Sequence, residues 1–280
     1  MNIFLNANHD LRAGWKFAAY VTFFCVLLVA TRIAFSFLGD VNLPENTLAF
    51  LFLNEVGLVV PTIGALLLTT RFVDHRPLQT FGIGFLPQWQ RDLGKGLGLG
   101  AGMVAFLLLG CFSVGYVRIG WTGTHVPAAT LIGWLILLLV AAANEELIFR
   151  GFPLQVLIEA IGAWPAIIAL SILFGLAHSG NPNASRLGMA NTVLAGVLFS
   201  VAYVKRRSLW LPYGIHVGWN VGIGFVLGFH LSGLHIASLW TTGIAGSDTI
   251  LGGDYGPEGG LLATFIFGAS AVIVNRIKPG

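Results

Sequence analysis

Charge is what this sequence most conspicuously lacks. Of 280 residues, only 10% are Asp, Glu, Lys or Arg, where an ordinary soluble domain carries about 25%. With 56% hydrophobic residues and a mean hydropathy of +0.82, too little polar surface remains to coat a water-soluble globule. The expected class is an all-α, polytopic integral membrane protein, a single membrane domain over residues 1–280. Cysteine is nearly absent as well. Cys25 and Cys111 are the only two and both lie in apolar runs, which excludes a disulfide framework and a thiolate metal site and leaves them as packing residues. The chain has no GxxxxGK[ST] phosphate loop, no GxSxG elbow, no HExxH helix and no internal repeat, so nucleotide hydrolysis and serine chemistry find no support. The first apolar run is too long for a signal peptide and lacks a small-residue cleavage site, so it reads as a first span.

What is present is a series of apolar segments. A span needs roughly 20 mainly apolar residues, and eight candidates are expected: Trp15 to Leu38, Thr47 to Thr70, Leu93 to Tyr116, Ala128 to Gly151 or beyond, Ala163 to His178, Leu187 to Val204, Leu209 to Leu231 and Leu261 to Val274. The net charge of +3 resolves by membrane side rather than marking a nucleic-acid partner. Arg12, Lys16, Arg71, Arg76, Arg91, Lys95, Lys205, Arg206, Arg207, Arg276 and Lys278 fall in one set of connections. The other set holds Arg118 and Arg186 with Asp40, Glu45, Asp248, Asp254 and Glu258. The positive-inside rule then predicts cytoplasmic termini, in what reads as a bacterial inner membrane. Trp15, Trp121, Trp164 and Trp210 fall near span ends, as an aromatic belt would. The segment Asp74 to Asp92 is expected to be interfacial or a simple loop. Arg32 and Glu55, at equal distances from the turn DVNLPEN (40–46), are expected to pair between the first two spans. The glycine-rich loop Ser232 to Gly260 is expected to be a flexible connector, with a structured cap or partner surface as the alternative.

The costliest stretch is AAANEELIFRG, Ala141 to Gly151. A charged side chain in hydrocarbon costs several kcal/mol even on lenient scales, which makes intramembrane ionisable groups candidates for function. On a helix Glu146 and Arg150 are i and i+4 and can neutralise each other as a structural ion pair, while Glu145 is rotated roughly 100° away and stays free for chemistry. Two further spans carry polar groups one turn apart: Phe174 with His178, and His216 with Asn220. If the chain turns near Ile161 and Gly162, Glu145 and His178 come to one depth on facing helices. A carboxylate can take a proton from water, an imidazole can help hold that water, and an imidazole with an amide can donate to a developing oxyanion. His230 and His235, near the end of their span, read as hydrogen-bonding residues only.

These three motifs, EExxxR, FxxxH and HxxxN, in this order on apolar helices, resemble the CAAX-processing and bacteriocin-immunity membrane proteases. The resemblance spans roughly Ala128 to Leu227, and 128–227 is taken as the catalytic core. It implies Glu145 as general base, His178 as co-holder of the water, and His216 with Asn220 as oxyanion stabilisers. The implied reaction is hydrolysis of a peptide bond in a membrane-associated, prenylated or otherwise lipophilic substrate. Implied partners are membrane lipid and a peptide or lipidated protein, with no nucleic acid. No cofactor is expected on the glutamate reading. Three alternatives stand beside it: a zinc enzyme with Glu145, His178 and His216 as ligands, a non-catalytic scaffold or immunity protein of the same fold, and a transporter lined by Arg32, Glu55 and the site residues. The transporter lacks paired inverted repeats and broken helices at corresponding positions.

Overall fold

The structure is a computed structural model that describes residues 3–6, 10–37, 43–44, 47–85, 87–121 and 126–277. Most of the DVNLPEN turn, with Asp40 and Glu45, and Lys278 lie outside the described residues. Helices dominate: α1 (Ala13–Ser36), α2 (Leu48–Thr69), α3 (Trp89–Ser113), α4 (Ala128–Phe149), α5 (Phe152–Ile161), α6 (Ala163–Ala177), α7 (Arg186–Arg206), α8 (Trp210–Asn220), the one-turn α9 (Asp248–Leu251) and α10 (Leu261–Asn275). Wide-turn π segments extend α2 through Asp74 and α8 through Val226.

Five of the described helical stretches are long and apolar enough to cross a membrane: Ala13–Ser36, Leu48–Asp74, Trp89–Ser113, Ala128–Ile161 and Arg186–Arg206. Their outward faces are apolar, with Val26, Val29, Ile33, Leu109 and Phe112 all more than half exposed, as lipid rather than water demands. The protein is therefore an all-helical polytopic membrane protein. The expected fifth and eighth spans exist as the shorter apolar helices Ala163–Ala177 and Leu261–Asn275; at 1.5 Å per residue neither alone covers a hydrocarbon core about 30 Å thick.

The fourth apolar run is broken in two. Arg150 leaves α4 in extended conformation and Gly151 adopts φ 56°, a region that favours glycine; Pro153 then sits in the first turn of α5, where a missing N–H costs nothing. The following turn falls at Gly162, φ 88°, where the sequence places it, and sends α6 back along α4.

The tightest helix pair is α3 against α8. A Cβ added at Gly214 would lie 2.6 Å from the carbonyl oxygen of Leu93, and one at Gly218 would lie 2.8 Å from that of Leu97. Gly96 and Gly100 meet the backbone of Leu211 and Ile215 just as closely from the other side. Two small-xxx-small stripes thus interlock backbone to backbone, the packing that membrane helices use where no hydrophobic force drives association.

Three expectations are corrected. Arg32 and Glu55 do not pair: Arg32 Nη1 donates to Asn54 Oδ1 at 2.9 Å, whereas Glu55 Oε1 accepts from Asn144 Nδ2 of α4 at 2.7 Å. One residue is a 100° step around α2, and it turns Glu55 away from α1 and towards the interior. The segment after Asp74 is only partly superficial, because Phe81 is fully buried against Phe152 while Phe85 is exposed. Ser232 to Gly260 is folded rather than a flexible connector. Its strand β2 (Trp240–Ile244) pairs antiparallel with β1 (Val117–Trp121), and its Tyr255 and Leu251 are buried. Positive φ at Gly233, Gly252, Gly253 and Gly256 shows the glycines serving tight turns.

Candidate active site

The three polar pairs read from the sequence converge on one cavity of about 510 Å³, lined by Glu145, His178, His216 and Asn220 among mainly apolar side chains. Glu145 lies one turn before the end of α4, His178 caps the C-terminus of α6, and His216 and Asn220 share a face of α8. Glu145 Oε2 lies 3.9 Å from His178 Nε2 and 3.7 Å from His216 Nε2. Both separations exceed a direct hydrogen bond. Oε2 is itself buried and makes no hydrogen bond to any of the described residues, so a small molecule among these three atoms would find one acceptor and two imidazole nitrogens within reach.

The histidines are oriented from behind. His178 Nδ1 lies 2.8 Å from the carbonyl oxygen of Phe174; a carbonyl only accepts, so Nδ1 carries the hydrogen and the neutral ring turns a lone pair on Nε2 towards Glu145. His216 Nδ1 lies 3.0 Å from Glu146 Oε1, and its ring stacks on Phe199 at 4.7 Å. Glu146 Oε1 also accepts from Arg150 Nη1 at 3.2 Å, with both side chains buried. Arg150 Nη2 donates to the Gly196 carbonyl of α7, and the guanidinium lies over the Phe174 ring at 4.5 Å. The Glu146–Arg150 pair expected from i, i+4 spacing therefore exists, and it does more than neutralise itself: the same carboxylate oxygen orients His216.

Other residues line the cavity beyond those of the three motifs. Glu55, held by Asn144, lines the same cavity. So does Glu258 of the folded loop, which is buried and accepts from Trp219 Nε1 at 2.9 Å and from the backbone N–H and hydroxyl of Ser232 at 2.6 Å each. Asn181, three residues after His178, donates to the Ser232 carbonyl at 3.0 Å. The loop is thus fastened beside both histidines. His230 and His235 do not line the cavity; His230 Nδ1 bonds to the Asp254 carbonyl.

The donor set can be tested against zinc. Tetrahedral zinc with bonds of about 2.0–2.2 Å brings ligand atoms within roughly 3.4 Å of one another, so the 3.7 and 3.9 Å separations would need to close by a few tenths of an ångström. His216 does have the carboxylate partner on its other nitrogen that metal-bound histidines usually have. If zinc is bound, Glu145, His178 and His216 are the residues to hold it, and its chemistry there would be Lewis-acid activation of water.

In comparison with known proteins, residues 127–222 match the family model described as type II CAAX prenyl endopeptidase Rce1-like. No curated protein matches the chain. The family match covers α4 to α8 and supports assignment to the CAAX-processing intramembrane proteases.

Proposed function

We propose that this membrane protein, whose central helices match the CAAX-type proteases, is an intramembrane endopeptidase that cuts a membrane-associated or lipidated peptide by means of a glutamate-activated water. The observation that carries the reading is the unpaired, buried Oε2 of Glu145 facing the Nε2 atoms of two histidines that are each fixed from behind.

In this mechanism the water sits between Glu145 and His178. Glu145 takes its proton as the oxygen attacks the peptide carbonyl, and the lone pair of His178 Nε2 holds the second hydrogen. The carbonyl oxygen becomes an oxyanion against His216 and Asn220. Donation from His216 Nε2 requires a ring with both protons, for which Glu146 supplies the counter-charge. Glu145 then returns its proton to the leaving amine, so the base is regenerated and no net charge stays in the bilayer. The apolar walls exclude bulk water and strengthen each electrostatic contact. Lysines and arginines on one set of connections put both termini on the cytoplasmic side of the membrane.

Glu145→Gln keeps the shape of the side chain but removes the acceptor, so purified protein should lose cleavage of membrane peptides by about 10²- to 10⁴-fold while melting like wild type. Full cellular function in Glu145→Gln would favour a scaffold. Exhaustive chelation should leave activity intact; loss on chelation with recovery on zinc alone would reassign Glu145, His178 and His216 as ligands.

A further inference from the structure

The cavity that holds the candidate site carries an acid the mechanism does not use. Glu55 of α2 lines it, partly buried, and no lysine or arginine among the described residues does. Asn144 Nδ2 donates to Oε1 of Glu55 at 2.7 Å. The other oxygen, Oε2, bonds to no described residue and keeps accessible surface. Arg32, the cation on the neighbouring helix, is turned onto Asn54 and does not line the cavity.

The other charges of the site are already matched. With His216 carrying both ring protons, as the mechanism requires, Glu145, Glu146, Arg150 and His216 sum to zero, so none of them is left over for Glu55. Glu258, the third acid in the wall, has both oxygens taken by Trp219 and Ser232. Glu55 alone among the three is held by a single neutral amide and has no task in the reaction.

We propose that Glu55 is a substrate-binding residue that selects a basic side chain, lysine or arginine, close to the scissile bond. This names a substrate class for the endopeptidase reading and rests on it. A carboxylate in mainly apolar walls is costly while unpaired, and an incoming cation supplies the missing partner. An acidic side chain would bring like charge into the same low dielectric and be repelled, so the residue selects by attraction and by exclusion together. The position along the substrate follows from α4. Asn144, which holds Glu55, directly precedes Glu145, and an extended peptide advances about 3.3 Å per residue. A strand whose carbonyl lies at Glu145 therefore brings a nearby side chain, rather than a distant one, to Glu55.

The test separates binding from cleavage. The probes are N-myristoylated peptide amides of alanine and leucine in which one lysine is moved along the chain, each with a norleucine and a glutamate counterpart. They are titrated calorimetrically into the full-length Glu145→Gln protein in neutral detergent micelles, which do not themselves discriminate charge. In one register the lysine peptide should bind tightest, the norleucine peptide at least about tenfold more weakly, and the glutamate peptide more weakly still. Adding Glu55→Gln, which can keep the hydrogen bond from Asn144 but not the charge, should erase the lysine advantage, and Glu55→Asp should retain it. The proposal is overturned if lysine beats norleucine in no register, or if its advantage persists in Glu55→Gln. Cleavage by the wild type is measured separately. A lysine advantage in binding with no peptide cut would keep Glu55 as the cation-binding residue and sink the protease reading. Cleavage indifferent to the three side chains would sink the role of Glu55 and leave the protease standing.

Discussion

Two ionic networks in this molecule use the same residue types to different ends. Near the end of α2, Asp74 accepts from Arg76 at 2.6 Å and lies 3.1 Å from Lys16, and Arg76 reaches on to Glu159 of α5 at 2.7 Å. Its outer members are roughly a third exposed, and the hydrogen bond from Arg76 to Asp74 raises the already high guanidinium pKa. The second network, Glu146 with Arg150 and His216, is almost wholly buried. In the first, solvent screens the outer contact between Arg76 and Glu159 and lets those two part cheaply, although Asp74 at the centre is itself buried. Within the second, no member can leave without stranding another. The edge network ties α1, the end of α2 and α5 together, whereas the buried one fixes the position of a ring.

Arg150→Ala should break the contrast most severely. It leaves Glu146 uncompensated in the interior, a change worth about 3–5 kcal/mol for buried pairs, so thermal stability in detergent should drop and Glu146→Gln should partly restore it. An Arg150→Ala protein that melts like wild type would place this pair in the same class as the edge network. Next in size is Asn220→Ala, the loss of a proposed oxyanion donor, expected to raise the barrier by about 2.7–4 kcal/mol. Kinetics should register it in kcat rather than KM, because the oxyanion exists only as the reaction proceeds; an equal effect on substrate affinity would make Asn220 a binding residue. Glu258→Gln tests whether a buried carboxylate satisfied by neutral donors behaves like the site or like the edge. Exchanging charged for neutral hydrogen bonds there should cost about 1–3 kcal/mol of stability, measured as a lowered Tm, and no change would mean the loop is fastened by its backbone alone. Smallest is Glu159→Gln, where a partner about a third exposed should be worth at most about 1 kcal/mol; a larger loss would show that the edge, too, behaves as buried.

How much of this could be read in advance depends on the range of the contact. Glu146 with Arg150, Phe174 with His178 and His216 with Asn220 are legible because each pair is spaced i, i+4 in an apolar run, and Glu145 because it stands free beside the first pair and the turn at Gly162 brings α4 and α6 to a common depth. Glu55 and Asn144 are not legible as a pair: 89 residues separate them, and the choice between Arg32 and Asn144 depends on one 100° step around α2. Glu258 hides for another reason. It lies in GSDTILGGDYGPEGG, and glycine marks flexible chain and obligatory positive-φ turns alike. What distinguishes the two is whether buried partners wait for the turn, and Trp219, Ser232 and Asn191 are scattered over the chain.

The interlocked glycines of α3 and α8 bear on how much of the chain the candidate site depends on. The family match begins at residue 127, yet α8, which carries His216 and Asn220, packs backbone to backbone against α3 at Trp89–Ser113. Any larger side chain at Gly96 or Gly100 displaces the backbone of α8 and the two site residues with it. The alignment of the candidate site therefore depends on residues upstream of the matched segment, in a helix none of whose described residues lines the cavity. The unit that recombination could exchange intact is the pair of helices, so a chimaera joined between them would inherit the signature residues and lose their alignment.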